Sequence, residues 1–175
     1  MAEVQQAQGI SGIQAMLDKM NVYKQTLEQE QAARQQADAQ QAQEQQQVSS
    51  KFGAIVEAAT LVGMADGRFS ETESRRVVER VRQLAGDRFS AEEIDALVRD
   101  ASSRIQAEGA SARADAVAGL LEDGELRRAA LLVASAVGWL EGGVGQKEGL
   151  ALQSLARAFG LPINELHQIM GQAHS

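Results

Sequence analysis

Two short acidic stretches hold the residues best suited to chemistry. Asp66 and Glu73 flank a Gly turn in Ala65-Asp66-Gly67-Arg68-Phe69-Ser70-Glu71-Thr72-Glu73, and Glu141 and Glu148 stand at the same interval around Gly142-Gly143-Val144-Gly145. Four carboxylates cannot sit close together ionised without a cation or shifted pKa values, and hard cations such as Ca²⁺ and Mg²⁺ take carboxylate oxygens. If the two stretches converge, Asp66, Glu73, Glu141 and Glu148 form a candidate site for a divalent cation. Each residue also has a purely structural reading. Ser70-x-x-Glu73 is a capping box, in which hydroxyl and carboxylate satisfy orphan N–H groups at a helix start, and Asp66-Gly67 is a common turn pair. In the second stretch Gly145 replaces the Ser while Glu148 stays, so reciprocal capping is not the whole reason for Glu148. Attraction to a helix dipole is another.

No other constellation supports catalysis, and the protein is not expected to be an enzyme. The chain has no Cys, which removes disulfides, thiolate ligands and a Cys nucleophile together. His167 and His174 are its two histidines, one on the last helix and one in the terminal tail. No His-Glu-x-x-His, Gly-x-Ser-x-Gly, P-loop or dinucleotide fingerprint occurs. A formal net charge of -7 disfavours a phosphate-tracking surface, so nucleic acid is not an expected partner. The N-terminus shows neither a basic start nor an apolar run, and the longest apolar stretch, residues 129–140, falls short of the ~20 residues that cross a bilayer. Cytoplasmic residence without a membrane span is the expectation. Trp139 reads as a packing residue beside the second acidic stretch. Arg75, Arg76, Arg80 and Arg82 read as a solvated face with partners such as Glu79 or Asp87, or as a docking surface for an acidic partner.

The elements that must position these residues are helices. Among 175 residues there is one Pro, and Ala, Leu, Gln, Glu and Arg dominate, which favours helix and an all-α class. From about residue 51 the pattern is globular. Phe52, Ile55, Val56, Ala59, Val62 and Gly63 mark a buried helix ending at the first acidic loop. Ser70 opens a second helix with Val77, Val78, Val81 and Leu84 on its apolar side. Ser90-Ala91-Glu92-Glu93 repeats the start signal for a third, with Ile94, Leu97, Val98, Ala101 and Ile105, ending at Gly109. Four more are expected over residues 111–121, 125–140, 146–159 and from Pro162 on, where Ile163, Leu166, Ile169 and Met170 share a face. That makes about seven helices.

A shift of 75 residues lays Ala59, Val62, Gly63, Asp66, Gly67, Phe69 and Glu73 on Ala134, Val137, Gly138, Glu141, Gly142, Val144 and Glu148. Each copy is one αα-hairpin, and two such hairpins are expected to pack pseudo-symmetrically because neither buries its apolar faces alone. The Ala-Asp-Gly-x-hydrophobic-Ser-x-x-Glu run at 65–73, Leu126-Arg127-Arg128 and the close Leu155-Ala156-Arg157-Ala158-Phe159-Gly160-Leu161 resemble the TerB-like family of tellurite-resistance proteins, over about residues 51–170. This resemblance implies a non-catalytic module of tellurite-resistance or stress-response systems. Such modules associate with other proteins, sometimes in membrane-associated or large assemblies, and their paired acidic loops are regarded as metal-binding. This chain departs from the pattern where Glu141-Gly142-Gly143 replaces a second Asp-Gly and Gly145 replaces Ser.

Residues 1–50 form a separate arm, with 51–175 as the TerB-like domain. Fifteen of its residues are Gln, and between Leu27 and Val48 there is no large apolar side chain. Residues 28–47 are therefore a solvated helix or a flexible tether. Before them, Ile10, Ile13, Leu17, Met20 and Leu27 share one helical face within an amphipathic segment over residues 10–27. That face packs on its own domain, self-associates, or docks on a partner. The main alternative to the TerB-like reading is a structural or cargo adaptor with no metal role, whose N-terminal amphipathic helix docks on a larger assembly.

Overall fold

The computed structural model describes residues 2–140 and 142–175, with side chains from residue 11 on. The all-α expectation holds: the described residues form seven α-helices and a 3-10 turn, and no strand occurs among them. The helices are α1 (Ala2–Gly63), α2 (Glu71–Ala85), α3 (Ala91–Glu108), α4 (Ala110–Leu120), α5 (Gly124–Gly138), α6 (Gln146–Ala158) and α7 (Ile163–His174), with Gly86–Arg88 as the 3-10 turn. No helix of the described residues is long and apolar enough to cross a membrane.

The chain divides into two compact units, Met1–Gln47 and Val48–Ser175. The first is helical throughout its described length, and every residue from 11 to 47 is exposed. Residues 28–47 are thus a solvated helix, consistent with the high helix propensity of Gln, Ala, Glu and Arg. A Lys24–Glu28 pair at 3.9 Å sits at the favourable i,i+4 spacing.

The second unit is built around the C-terminal turns of α1. Ala54, Ala58, Leu61 and Val62 enter one apolar cluster with Val117, Leu121, Leu131, Leu152, Leu155, Phe159 and Leu166. Val56 and Ala59 enter a second, with Val77, Val81, Ile94, Val98 and Val137. A helix that feeds apolar clusters on two sides must be apolar nearly all round, which explains the dense Ala/Val/Leu pattern of residues 54–62. Helix starts follow local chemistry. Ser70 Oγ accepts from Glu73 N at 3.2 Å while Glu73 Oε2 accepts from Ser70 N at 2.6 Å. Ser90 and Glu93 repeat the box at 3.2 and 2.7 Å, and Asp123 Oδ1 caps α5 by accepting from Glu125 N at 2.7 Å.

Three local expectations are corrected. Leu84 shares a side of α2 with Val77 and Val81 by spacing, but it lies in the final turn and is 47% exposed. Ile163 is exposed at the start of α7, where Leu166 and Ile169 carry the burial. Pro162 is the N-cap of α7 rather than its first helical residue, with an extended backbone (φ -72, ψ 158).

Candidate functional site

The first acidic loop is shaped by its own side chains. After α1 the chain turns at Gly67, whose φ of 81° lies in the left-handed region that Gly occupies without strain. Asp66 Oδ1 accepts from Arg68 N at 2.8 Å, an Asx turn that fixes the loop before Ser70 starts α2. The second loop turns at Gly142 with a φ of 87°. Lys147, in the first turn of α6, donates from Nζ to the Asp66 carbonyl at 3.4 Å, so the two loops are neighbours although 81 positions separate these residues.

A Cβ at Gly63 would stand 3.0 Å from Val77, 3.4 Å from Phe69 and 3.7 Å from Val137. A Cβ at Gly138 would stand 3.4 Å from Val144 and 3.5 Å from Val62. The absent side chains let the ends of α1 and α5 approach closely, and this brings the loops that follow them together.

Between the loops lies a cavity of about 210 Å³. Its apolar wall is Val62, Gly63, Val77, Val137 and Gly138, and its polar lining includes Asp66, Glu73, Glu148 and Arg76. Three of the four carboxylates singled out in the sequence therefore line one space. Glu141 lies outside the described residues.

Each of the three is held differently. Asp66 and Glu73 accept from backbone N–H groups of their own turns, as above. The Glu148 carboxylate folds back over the start of α6, where Oε2 occupies the space that a Cβ on Gly145 would need. Gly145 itself is in extended backbone (φ -67, ψ 173) open to any residue, so the turn does not require a Gly there, and the missing Cβ leaves room for the carboxylate. Among the described residues no three carboxylate or imidazole groups are gathered tightly enough to ligate a metal directly. The donor set suits a hard cation, but as placed it suits one that keeps much of its water, as Mg²⁺ commonly does with one or two carboxylates.

The partner-binding residues read from the arm are exposed on α1: Ile13, Leu17, Met20 and Leu27, with Met16, Val22 and Tyr23 near them. The side chain of Ile10 lies outside the described residues.

Two structural centres, those of Glu57 and Arg127, have no counterpart in the sequence reading. Glu57 is buried in α1 with its side chain 2% exposed. It accepts from Arg113 Nε at 2.6 Å, from Arg113 Nη2 at 3.1 Å and from Arg104 Nη2 at 3.1 Å. Arg113 also donates to Glu108 at 3.0 Å. Its guanidinium is held above its ordinary pKa first by the hydrogen bond to Glu57, against the opposing effect of burial, with Glu108 adding to it. Arg127 donates to three carbonyls at the ends of other segments, those of Leu121, Phe159 and Ala118. Trp139 Nε1 donates to the Met170 carbonyl at 3.2 Å, and its ring lies 4.2 Å from that of His174. Of the arginine run, Arg82 forms a two-point pair with Glu79 at 3.0 and 3.1 Å, and Arg75 pairs with Glu71 at 3.8 Å.

No family model matches the chain, and neither a curated protein nor a solved structure matches it.

Proposed function

We propose that this chain is a non-catalytic, cytoplasmic protein-interaction module of the TerB-like kind, as found in tellurite-resistance and stress-response systems, whose acidic cavity holds a hydrated divalent cation. The observation that supports this reading is the lining of one cavity by Asp66, Glu73 and Glu148, from two loops that are remote in sequence. In such a site Mg²⁺ or Ca²⁺ would offset the repulsion among carboxylates that the apolar wall partly shields from water. A bound ion would thereby set the charge and the loop conformation offered to a protein partner.

Calorimetric titration of the full chain with Mg²⁺, Ca²⁺, Mn²⁺ and Zn²⁺ tests this. One saturable site is expected, with affinity reduced at least about tenfold by Asp66→Asn combined with Glu148→Gln, since each carboxylate contributes charge to a hard-cation site. Absence of binding by the unsubstituted protein ends the cation proposal. A second reading, the adaptor without a metal role, draws support from the exposed Ile13, Leu17, Met20 and Leu27.

A further inference from the structure

The apolar side chains of the arm alternate steps of three and four. Ile10, Ile13, Leu17, Met20, Lys24 and Leu27 mark a seam with a period of 3.5 residues, and Lys24 is its only charged member. A straight helix drifts off such a seam, so 3.5 is the spacing of a helix that supercoils with another helix. The stretch lies within α1, and Ile13, Leu17 and Met20 are each more than half exposed. Met16 and Tyr23 stand on one flank of the seam and Gln14 and Asn21 on the other, all exposed.

We propose that residues 10–27 pair with the same segment of a second copy of this chain, as an antiparallel two-helix coiled coil centred between Asp18 and Lys19. Lys24 and the flanks set the direction. A parallel, in-register pair would bring Lys24 against the partner's Lys24 in an apolar layer. It would also set Met16 and Tyr23 against the partner's Asn21 and the partner's Glu28. The antiparallel register packs Leu17 on the partner's Met20 and Lys24 on the partner's Ile13. There the lysine stem covers apolar surface while its ammonium reaches water. Met16 then meets the partner's Tyr23, and Gln14 meets the partner's Asn21. Apolar flank faces apolar flank and amide faces amide, each contact made twice as a two-fold axis requires.

After Leu27 the seam turns polar at Gln31, Arg34 and Asp38, which stops the pairing. The apolar surface covered is on the order of 1,000 Å² over both copies, near the lower edge of specific interfaces and suited to a weak, reversible dimer. This inference is independent of the cation reading.

Sedimentation equilibrium of the full chain, over roughly 10–500 µM to span a weak interface, is expected to show a monomer–dimer equilibrium. Leu17→Asp should weaken it at least about tenfold, because an unpaired charge enters an apolar layer. Val22→Asp, on an equally exposed side chain facing away from the seam, should change it less than about twofold, as the charge stays in water. A monomer at all concentrations, a trimer or higher species, or equal effects of the two variants would overturn the proposal. Because the chain has no Cys, introduced thiols report direction without background. With a short bismaleimide, Gln14→Cys mixed with Asn21→Cys should crosslink, and neither alone should. Crosslinking of Met16→Cys mixed with Asn21→Cys, the pair that a parallel register brings together, would overturn the antiparallel pairing.

Discussion

The Glu148 carboxylate fills the space beside Gly145 that a Cβ would take. Glu148 is the third residue of α6, equivalent to Glu73 in α2, but it has no Ser to exchange hydrogen bonds with. Introducing one changes what the carboxylate does. Gly145→Ser is expected to fold normally, because the atom displaced is the tip of a flexible side chain and the backbone is already extended. A capping box forms, worth a few tenths of a kcal/mol over Gly at that position. The same change ties Glu148 to the helix start and lowers divalent-cation affinity. Thermal unfolding and calorimetric titration of one variant should thus move in opposite senses, with stability held or raised and cation affinity reduced.

Glu57 carries a different expectation. Its carboxylate is enclosed with two guanidinium groups, so removing it leaves Arg113, only 13% exposed, without its main counter-charge. Breaking such a buried pair costs about 3–5 kcal/mol. Urea unfolding of Glu57→Ala should show a loss in that range. Replacing Glu57 and Arg113 together by Leu and Met should cost less than Glu57→Ala alone, since the charges that then lose a partner, Arg104 and Glu108, are both reached by water. A double variant that is worse than the single one would show that the network contributes more than the relief of its own desolvation.

Arg127 acts by shape. One planar guanidinium serves the carbonyls of Ala118, Leu121 and Phe159, the last at 3.0 Å, and so joins the end of α4 to the end of α6. Arg127→Ala leaves these acceptors without their donor and is expected to cost about 2–3 kcal/mol, measured by urea unfolding. Arg127→Lys should recover less than half of that, because an ammonium is a point donor and cannot span the three positions. Full recovery by Lys would mean that charge rather than the planar fork is what matters.

These centres show where the sequence is legible. Helix starts are written locally: Ser70-x-x-Glu73 and Ser90-x-x-Glu93 need only residues three apart, and both form capping boxes. That Asp66, Glu73 and Glu148 line one cavity is legible at longer range only because the segment is repeated, with Gly63 and Gly138 marking where two helices approach. Glu57 is not legible, because its partners Arg104 and Arg113 lie 47 and 56 positions away and a single Glu among apolar residues resembles a solvated side. The one available signal is that its neighbours are apolar on every side, which leaves no solvated face for it to occupy. The folded-back position of Glu148 is a rotamer choice permitted by the missing Cβ at Gly145, and neither residue type alone announces it. Burial at helix ends is equally hidden, as Leu84 shows.

The chain's single indole is joined to the last helix twice, through the Met170 carbonyl and the His174 ring. Its emission is therefore a local gauge of whether that helix is seated, not a measure of the whole fold. If α7 detaches before the remainder melts, fluorescence will give an earlier midpoint than far-UV ellipticity. In that event the two midpoints bracket a genuine intermediate with α7 detached, and the indole is the probe placed to see it.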